Sequence, residues 1–164
     1  MSATGETSFD ELVSQLDYSM LIITAAAGGE RSGCLIGFAT QVSIDPPRFL
    51  ACLSVKNRTY RVARSAEVLV VHFVTGHDGE LAELFGGETG DEMDKFERCA
   101  WHPSAAGTPV LERLQNWFAG RIVGRHDFGD HWGFVLEPIE GEAGRSEETL
   151  TFQRAKAIEP GHEA

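Results

Sequence analysis

The stretch from Gly33 through Cys34-Leu35-Ile36-Gly37-Phe38-Ala39-Thr40-Gln41-Val42-Ser43-Ile44 to Asp45-Pro46-Pro47 constrains this chain more than any other. It begins as a glycine-punctuated apolar run and ends in a rigid corner. Glycines at 33 and 37 remove side-chain bulk where a ligand or another strand comes close. The paired prolines exclude a helix, lack ladder donors and drive the chain out of the sheet. Such a segment can present backbone to a flat ligand. The same pattern also serves many β proteins as a purely structural turn.

Around this segment the chain reads as many short strands with brief helices between them. Ser8 and Glu11 form a capping-box pattern, and Phe9, Leu12, Val13 and Leu16 recur at helical spacing, predicting a helix over about 8–17 whose apolar face docks on the sheet. Met20 to Thr24 reads as a strand that turns at Gly28-Gly29 into a hairpin partner. Phe49 to Val55 reads as a buried strand, Asn57 as the N-cap of a helix from Arg58 to about Ala66, and Val68 to Val74 as another strand. Asp78 is placed to cap a helix from Gly79 to Phe85, whose Leu81, Ala82, Leu84 and Phe85 form a core-facing stripe. Trp117 to Val123 and Trp132 to Ile139 are further strands, with a last alternating piece at Leu150 and Phe152. The expected architecture is mainly β: a closed antiparallel barrel over about 18–153 with peripheral helices, one domain over 1–164, and a frayed tail after about 158.

Several function classes are disfavoured at this level. With 164 residues and 42% hydrophobic content, a substantial core can form without staples. No apolar run approaches the roughly 20 residues that cross a bilayer, and Met1 to Thr7 lacks the pattern of a signal peptide, so a cytoplasmic protein without a membrane partner is expected. A net charge of -11 opposes binding to phosphate backbones, so nucleic acid is not an expected partner. Cys34, Cys52 and Cys99 make no CxxC pair, and His126/His131 and His72/His77 lack completing ligands, so no metal site is expected. No Gly-x-Gly occurs, which removes the Rossmann fingerprint. The loop Gly86-Gly87-Glu88-Thr89-Gly90-Asp91 lacks a P-loop ending and reads as a lid or a surface excursion. Trp101, Trp117 and Trp132 read as core or interface residues.

Against the acidic background Lys56, Arg58, Arg61 and Arg64 crowd into one short segment, either as a solvated helix face or as an anion site. His131 stands on a turn made by Gly129 and Asp130. Taken in order, Val42-Ser43-Ile44-Asp45-Pro46-Pro47, Asn57-Arg58-Thr59, Asp94-Lys95-Phe96, Gly107-Thr108-Pro109-Val110-Leu111 and Gly129-Asp130-His131 resemble the flavin reductase-like proteins with an FMN-binding split barrel. The resemblance spans roughly Leu16 to Ile139. It implies that Gly37, Phe38, Ala39, Thr40 and Gln41 contact the flavin ring, largely through backbone. It further implies that Ser54, Asn57, Arg58 and Thr59 hold the phosphate, and that His131 lies near flavin and nicotinamide. The other reading of His131 is a turn histidine bonded to a nearby group. Leu35, Gly37 and His72 depart from the family pattern, where Thr, Asn and Asn are common.

The activity implied by the resemblance is an NAD(P)H-dependent flavin reductase. It would use FMN, with FAD as the alternative, and NADH or NADPH as hydride donor. It also implies a homodimer, with a monooxygenase receiving the reduced flavin. A flavin-binding electron carrier or storage protein with little nicotinamide turnover is the competing reading, and a deazaflavin or haem barrel a third.

Overall fold

The first hairpin shows how local chemistry builds this sheet. In a computed structural model that describes residues 3–87 and 94–157, β1 (Leu21–Ala27) and β2 (Glu30–Ile36) pair antiparallel from Ala27↔Glu30 to Leu21↔Ile36. Gly28 and Gly29 make the turn with φ of 59° and 80°, the left-handed values that match a tight turn to strand twist. Then follow β3 (Ala39–Ser43), β4 (Arg48–Ser54), α2 (Arg58–Ala63), β5 (Val68–Phe73), α3 (Gly79–Gly87), β6 (Trp101–Pro103), β7 (Pro109–Leu111), β8 (Trp117–Asp127), β9 (His131–Glu142) and α4 (Phe152–Ala155). Seven strands form one sheet in the order β2-β1-β5-β8-β9-β4-β3, and β6 pairs with β7 beside it. No helix among the described residues is long and apolar enough to cross a membrane.

The opening glycine-rich segment is not one strand. It breaks at Gly37-Phe38 into β2 and β3, which lie at opposite edges of the sheet. Three Cα steps from Ile36 to Ala39 reach at most about 11 Å, so the sheet curls until its two edges come close. One buried cluster accordingly draws Ile23 of β1, Cys34 of β2, Leu53 of β4, Val71 of β5, Phe134 of β9 and Ala63 of α2 together. Among the described residues no ladder joins β2 to β3, so the fold is a curled antiparallel sheet with few helices. A second cluster packs Ile22, Leu81, Phe85, Phe96 and Leu111 beneath α3, as the helical stripe predicted.

His72 ties these clusters together. It is fully buried on β5, with Nδ1 2.9 Å from the Ile22 carbonyl, while the Leu111 amide donates to Nε2 at 3.0 Å. A carbonyl only accepts and an amide only donates, so the ring is neutral with its proton on Nδ1. Burial holds its pKa down at about 4, because a charged imidazolium loses its hydration here.

Four expectations are corrected. The first helix, α1 (Ala3–Val13), starts before Ser8 rather than being capped by it, and its apolar stripe does not dock on its own chain: Phe9, Leu12, Val13 and Leu16 are exposed. Phe152 begins a helical turn instead of ending a strand, since this region meets the sheet only through the single bridges Ser19↔Thr151 and Thr75↔Thr149. The Asp78 carboxylate accepts from the Thr75 amide and hydroxyl and pairs with Arg113 at 3.2 Å, leaving its carbonyl to receive Ala82 N–H. Finally, Gly33 and Gly37 make room for the rings of Phe85 and Tyr18, whose atoms a Cβ would strike. Residues 88–91 of the acidic loop and the tail from 158 lie outside the described residues.

Candidate functional site

β4 ends at Ser54, which stands opposite His131, the first residue of β9. The turn that delivers His131 needs Gly129 at φ 128°, a value L side chains rarely adopt. Asp127 Oδ1 accepts the Gly129 amide at 2.9 Å, and the Val55 amide donates to the Asp130 carbonyl at 2.9 Å, fastening the turn to β4. His131 Nδ1 lies 2.8 Å from Asp130 Oδ1. That hydrogen bond holds the exposed Asp130 carboxyl below its ordinary range and fixes Nδ1 as the bonded nitrogen, leaving Nε2 for a further partner.

Phe38 supplies the surface beside it. Its ring is 55% exposed and sits 4.9 Å from the imidazole of His131, tilted 47°. On its other side Tyr18 lies at 6.5 Å and stacks on Phe152 at 4.9 Å. Sequence reasoning missed Tyr18 and Phe152; they meet because the Phe152 amide donates to the Tyr18 carbonyl, a long-range contact without a local signal.

β3 is an edge strand. The Phe38 carbonyl accepts from Cys52 N at 2.9 Å, and Ala39, Thr40 and Gln41 oppose Ala51, Leu50 and Phe49. Alternation along an antiparallel ladder then turns the backbone groups of Ala39 and Gln41 away from β4. The Gln41 carbonyl accepts from the Thr40 hydroxyl at 3.1 Å, which leaves the Ala39 N–H and C=O and the Gln41 N–H as the edge's outward set. A heterocycle with alternating donors and acceptors along one edge fits such a row.

The basic segment folds next to this edge. Asn57 caps α2 by accepting the Thr59 amide. Thr59 is fully buried, its hydroxyl paired with Ser32 at 2.8 Å. Ser54 Oγ accepts from Lys56 N at 3.3 Å and retains its own proton to donate. Arg58 anchors to the β1–β2 turn, reaching the Arg31 carbonyl at 3.2 Å and Glu30 at 3.4 Å, with further guanidinium donors beyond those two. The structure thus brings Ser54, His131 and Phe38 to one edge and Asn57, Arg58 and Thr59 to the adjoining helix. The hydroxyl of Thr59 and the side-chain oxygen of Asn57 serve the fold locally.

Other sequence motifs are architectural. Lys95 is buried and donates Nζ to the Phe85 and Gly33 carbonyls at 2.9 and 3.3 Å. Thr24 Oγ1 donates to Pro109 O, securing β7. Burial pushes the Cys34 thiol up to about 11, which removes it as a nucleophile at neutral pH. No group of three or more His, Cys, Asp or Glu among the described residues is arranged to hold a metal. An open cavity of about 620 Å³ lies elsewhere, over Phe73, Phe118 and Gly141. It contains none of the residues above, and we weigh convergent polar groups over volume in placing the site.

Residues 13–159 match the flavin reductase like domain family. The FMN reductase (NADH) RutF of Agrobacterium fabrum is 28% identical over 140 residues, 85% of this chain and 80% of its own length. Among solved structures, the flavin reductase domain protein from Arthrobacter sp. FB24 superposes with a TM-score of 0.82 at 23% identity, covering 91% of both chains. A nitrilotriacetate monooxygenase component B homologue from Mycobacterium thermoresistibile gives 0.79 at 23% identity, over 93% of this chain and 85% of the other.

Proposed function

This chain belongs to the flavin reductase-like family, and from that premise we propose that its β3 edge is the flavin-binding surface of an NAD(P)H-dependent flavin reductase. The observation that carries the placement is the exposed Phe38 ring, set between His131 and an outward row of backbone donors and acceptors on an edge strand. The protein is an NAD(P)H:flavin oxidoreductase that uses FMN, as its relative named FMN reductase (NADH) does. Bound FMN accepts a hydride from the nicotinamide of NADH or NADPH.

The chain's residues divide the remaining work. Gly37 to Gln41 hold the ring, Phe38 by its face and Ala39 and Gln41 by backbone. Ser54 and Arg58 supply hydrogen-bond donors to the phosphate, while Asn57 and Thr59 fix the helix that carries Arg58. His131 orients the donor: with Nδ1–H given to Asp130, Nε2 accepts an N–H such as that of the nicotinamide carboxamide. Hydride transfer needs stacking, distance control and exclusion of water more than a proton-transfer side chain.

We further read the curled sheet of residues 1–164 as one split-barrel domain closed at the Gly37-Phe38 seam, and the protein as a cytoplasmic homodimer with flavin near the interface. The bare apolar surfaces outside its core support the dimer. It hands reduced flavin to a monooxygenase, a role supported by the fold neighbour whose name is a monooxygenase component. Anaerobic stopped flow tests the activity. Rapid bleaching of the oxidised-flavin band when NADH is added to protein and FMN is expected; binding without bleaching would point to an electron carrier, and no binding would overturn the site.

A further inference from the structure

The face of α1 that sequence periodicity marks for burial is bare. Phe9 and Leu12 are 59% and 65% exposed, and Val13 and Leu16 are exposed with them. The chain just after the helix is nonetheless pinned. Gln153 Nε2 donates to the carbonyls of Ser14 and Leu16 at 2.9 and 2.7 Å, and Gln153 N to Asp17 Oδ1 at 3.0 Å. An amphipathic helix fastened at its base with its apolar stripe in water is a docking element without its partner.

A second bare surface lies on the outer side of β8, β9, β4 and β3. Phe128, 62% exposed, lies over Gly133 and Leu50, as the position of a Cβ on Gly133 shows. Val42 and Val123, both exposed, stand where the register shifts in β3 and β8. These residues alternate with the inward Ala51, Phe134 and Leu136 of the core, so no part of their own chain covers them.

We propose that α1 of each protomer docks on this sheet face of a second copy of the chain, a reciprocal helix exchange about a twofold axis. Both halves of the contact are on one chain, and a twofold operation satisfies each with the other, as an isologous interface requires. The two surfaces together expose on the order of 800 Å² of apolar area per protomer, the contribution of each partner to a standard-size interface. Either surface alone supplies about half of that. A membrane is a poor occupant: α1 carries Glu6, Asp10 and Glu11, Asp17 follows it, and no Lys or Arg occurs before Arg31, whereas helices that lie on anionic lipid are basic. The inference rests on the dimer reading above and adds to it the element that makes the contact.

The test uses the full chain with p-benzoylphenylalanine in place of Phe9, mixed as ¹⁴N and ¹⁵N protein and irradiated, alongside light scattering of the wild type and of Leu12→Asp/Leu16→Asp. The expected crosslinks join residue 9 to peptides within 40–50 or 123–135 of the copy carrying the other isotope. The double variant is expected to be monomeric with unchanged far-UV circular dichroism, since neither residue is buried in its own chain. A dimer whose residue 9 crosslinks within its own chain or to another surface would overturn the helix exchange and leave the dimer standing. A wild type that stays monomeric at every concentration would overturn both.

Discussion

Acid should destabilise this fold through His72 before most carboxylates titrate. The unfolded ring takes a proton at an ordinary pKa of 6.5, and the buried ring only at about 4. Because the folded value lies below the unfolded one, protonation favours the unfolded chain. The stability at stake is intact above pH 6.5, declines as pH falls through the interval and is lost by pH 4. At 1.36 kcal/mol for each pH unit of separation, the loss approaches about 3 kcal/mol. The geometry explains the direction, since a proton on Nε2 would face the Leu111 amide that donates to it. Urea unfolding of the wild type and of His72→Asn between pH 8 and 4 measures the effect. Asn keeps one donor and one acceptor but does not titrate, so carboxylate contributions cancel in the difference. With a slope of about 1–3 kcal/mol per molar urea, the wild-type midpoint should fall by about 1–2 M more than the variant's. Parallel pH profiles would refute the argument.

Three further outcomes follow from the site. Arg58→Ala should weaken FMN by about 1.5–3 kcal/mol, the range for a hydrogen bond to a charged group, and leave riboflavin affinity nearly unchanged by fluorescence titration; equal losses would remove Arg58 from the phosphate. His131→Ala should slow anaerobic reduction by NADH about 5–10-fold, the effect of one hydrogen bond of roughly 1 kcal/mol, with FMN affinity little altered. Unchanged reduction would leave His131 as a turn residue only. Gly37→Ala drives a Cβ into the ring of Tyr18, so a cost of about 1–3 kcal/mol for overpacking should appear in thermal unfolding, and Gly37→Ala/Tyr18→Ala should recover part of it; no loss in the single variant would contradict the packing.

Much of this was legible locally. Gly28-Gly29 announced the first hairpin, Asn57 its capping role, and the stripe of α3 its burial, because each rests on neighbours a few residues apart. The ordered motifs from Val42 to His131 also carried the family. They did not distinguish residues that face a ligand from residues that hold the scaffold: Lys95, buried between two carbonyls, and Thr59, bonded to Ser32, carry motif positions yet point inward. Polar residue types announce a hydrogen bond, not its partner.

What the sequence determined by itself was therefore the set of strands, their turns and the family to which they belong, since periodicity, glycine and proline act over short range. Tertiary structure alone decided that the glycine-rich run splits into the two edges of one curled sheet, that Gly33 and Gly37 admit Phe85 and Tyr18, and that Phe38 reaches His131 across 93 positions. It also decided that the stripe of α1 stays uncovered, because whether an apolar face finds a partner depends on where the pinned segment after it points. Pairing across the sheet and burial depend on which distant segments meet, and a pattern of neighbours along the chain does not encode that meeting position by position.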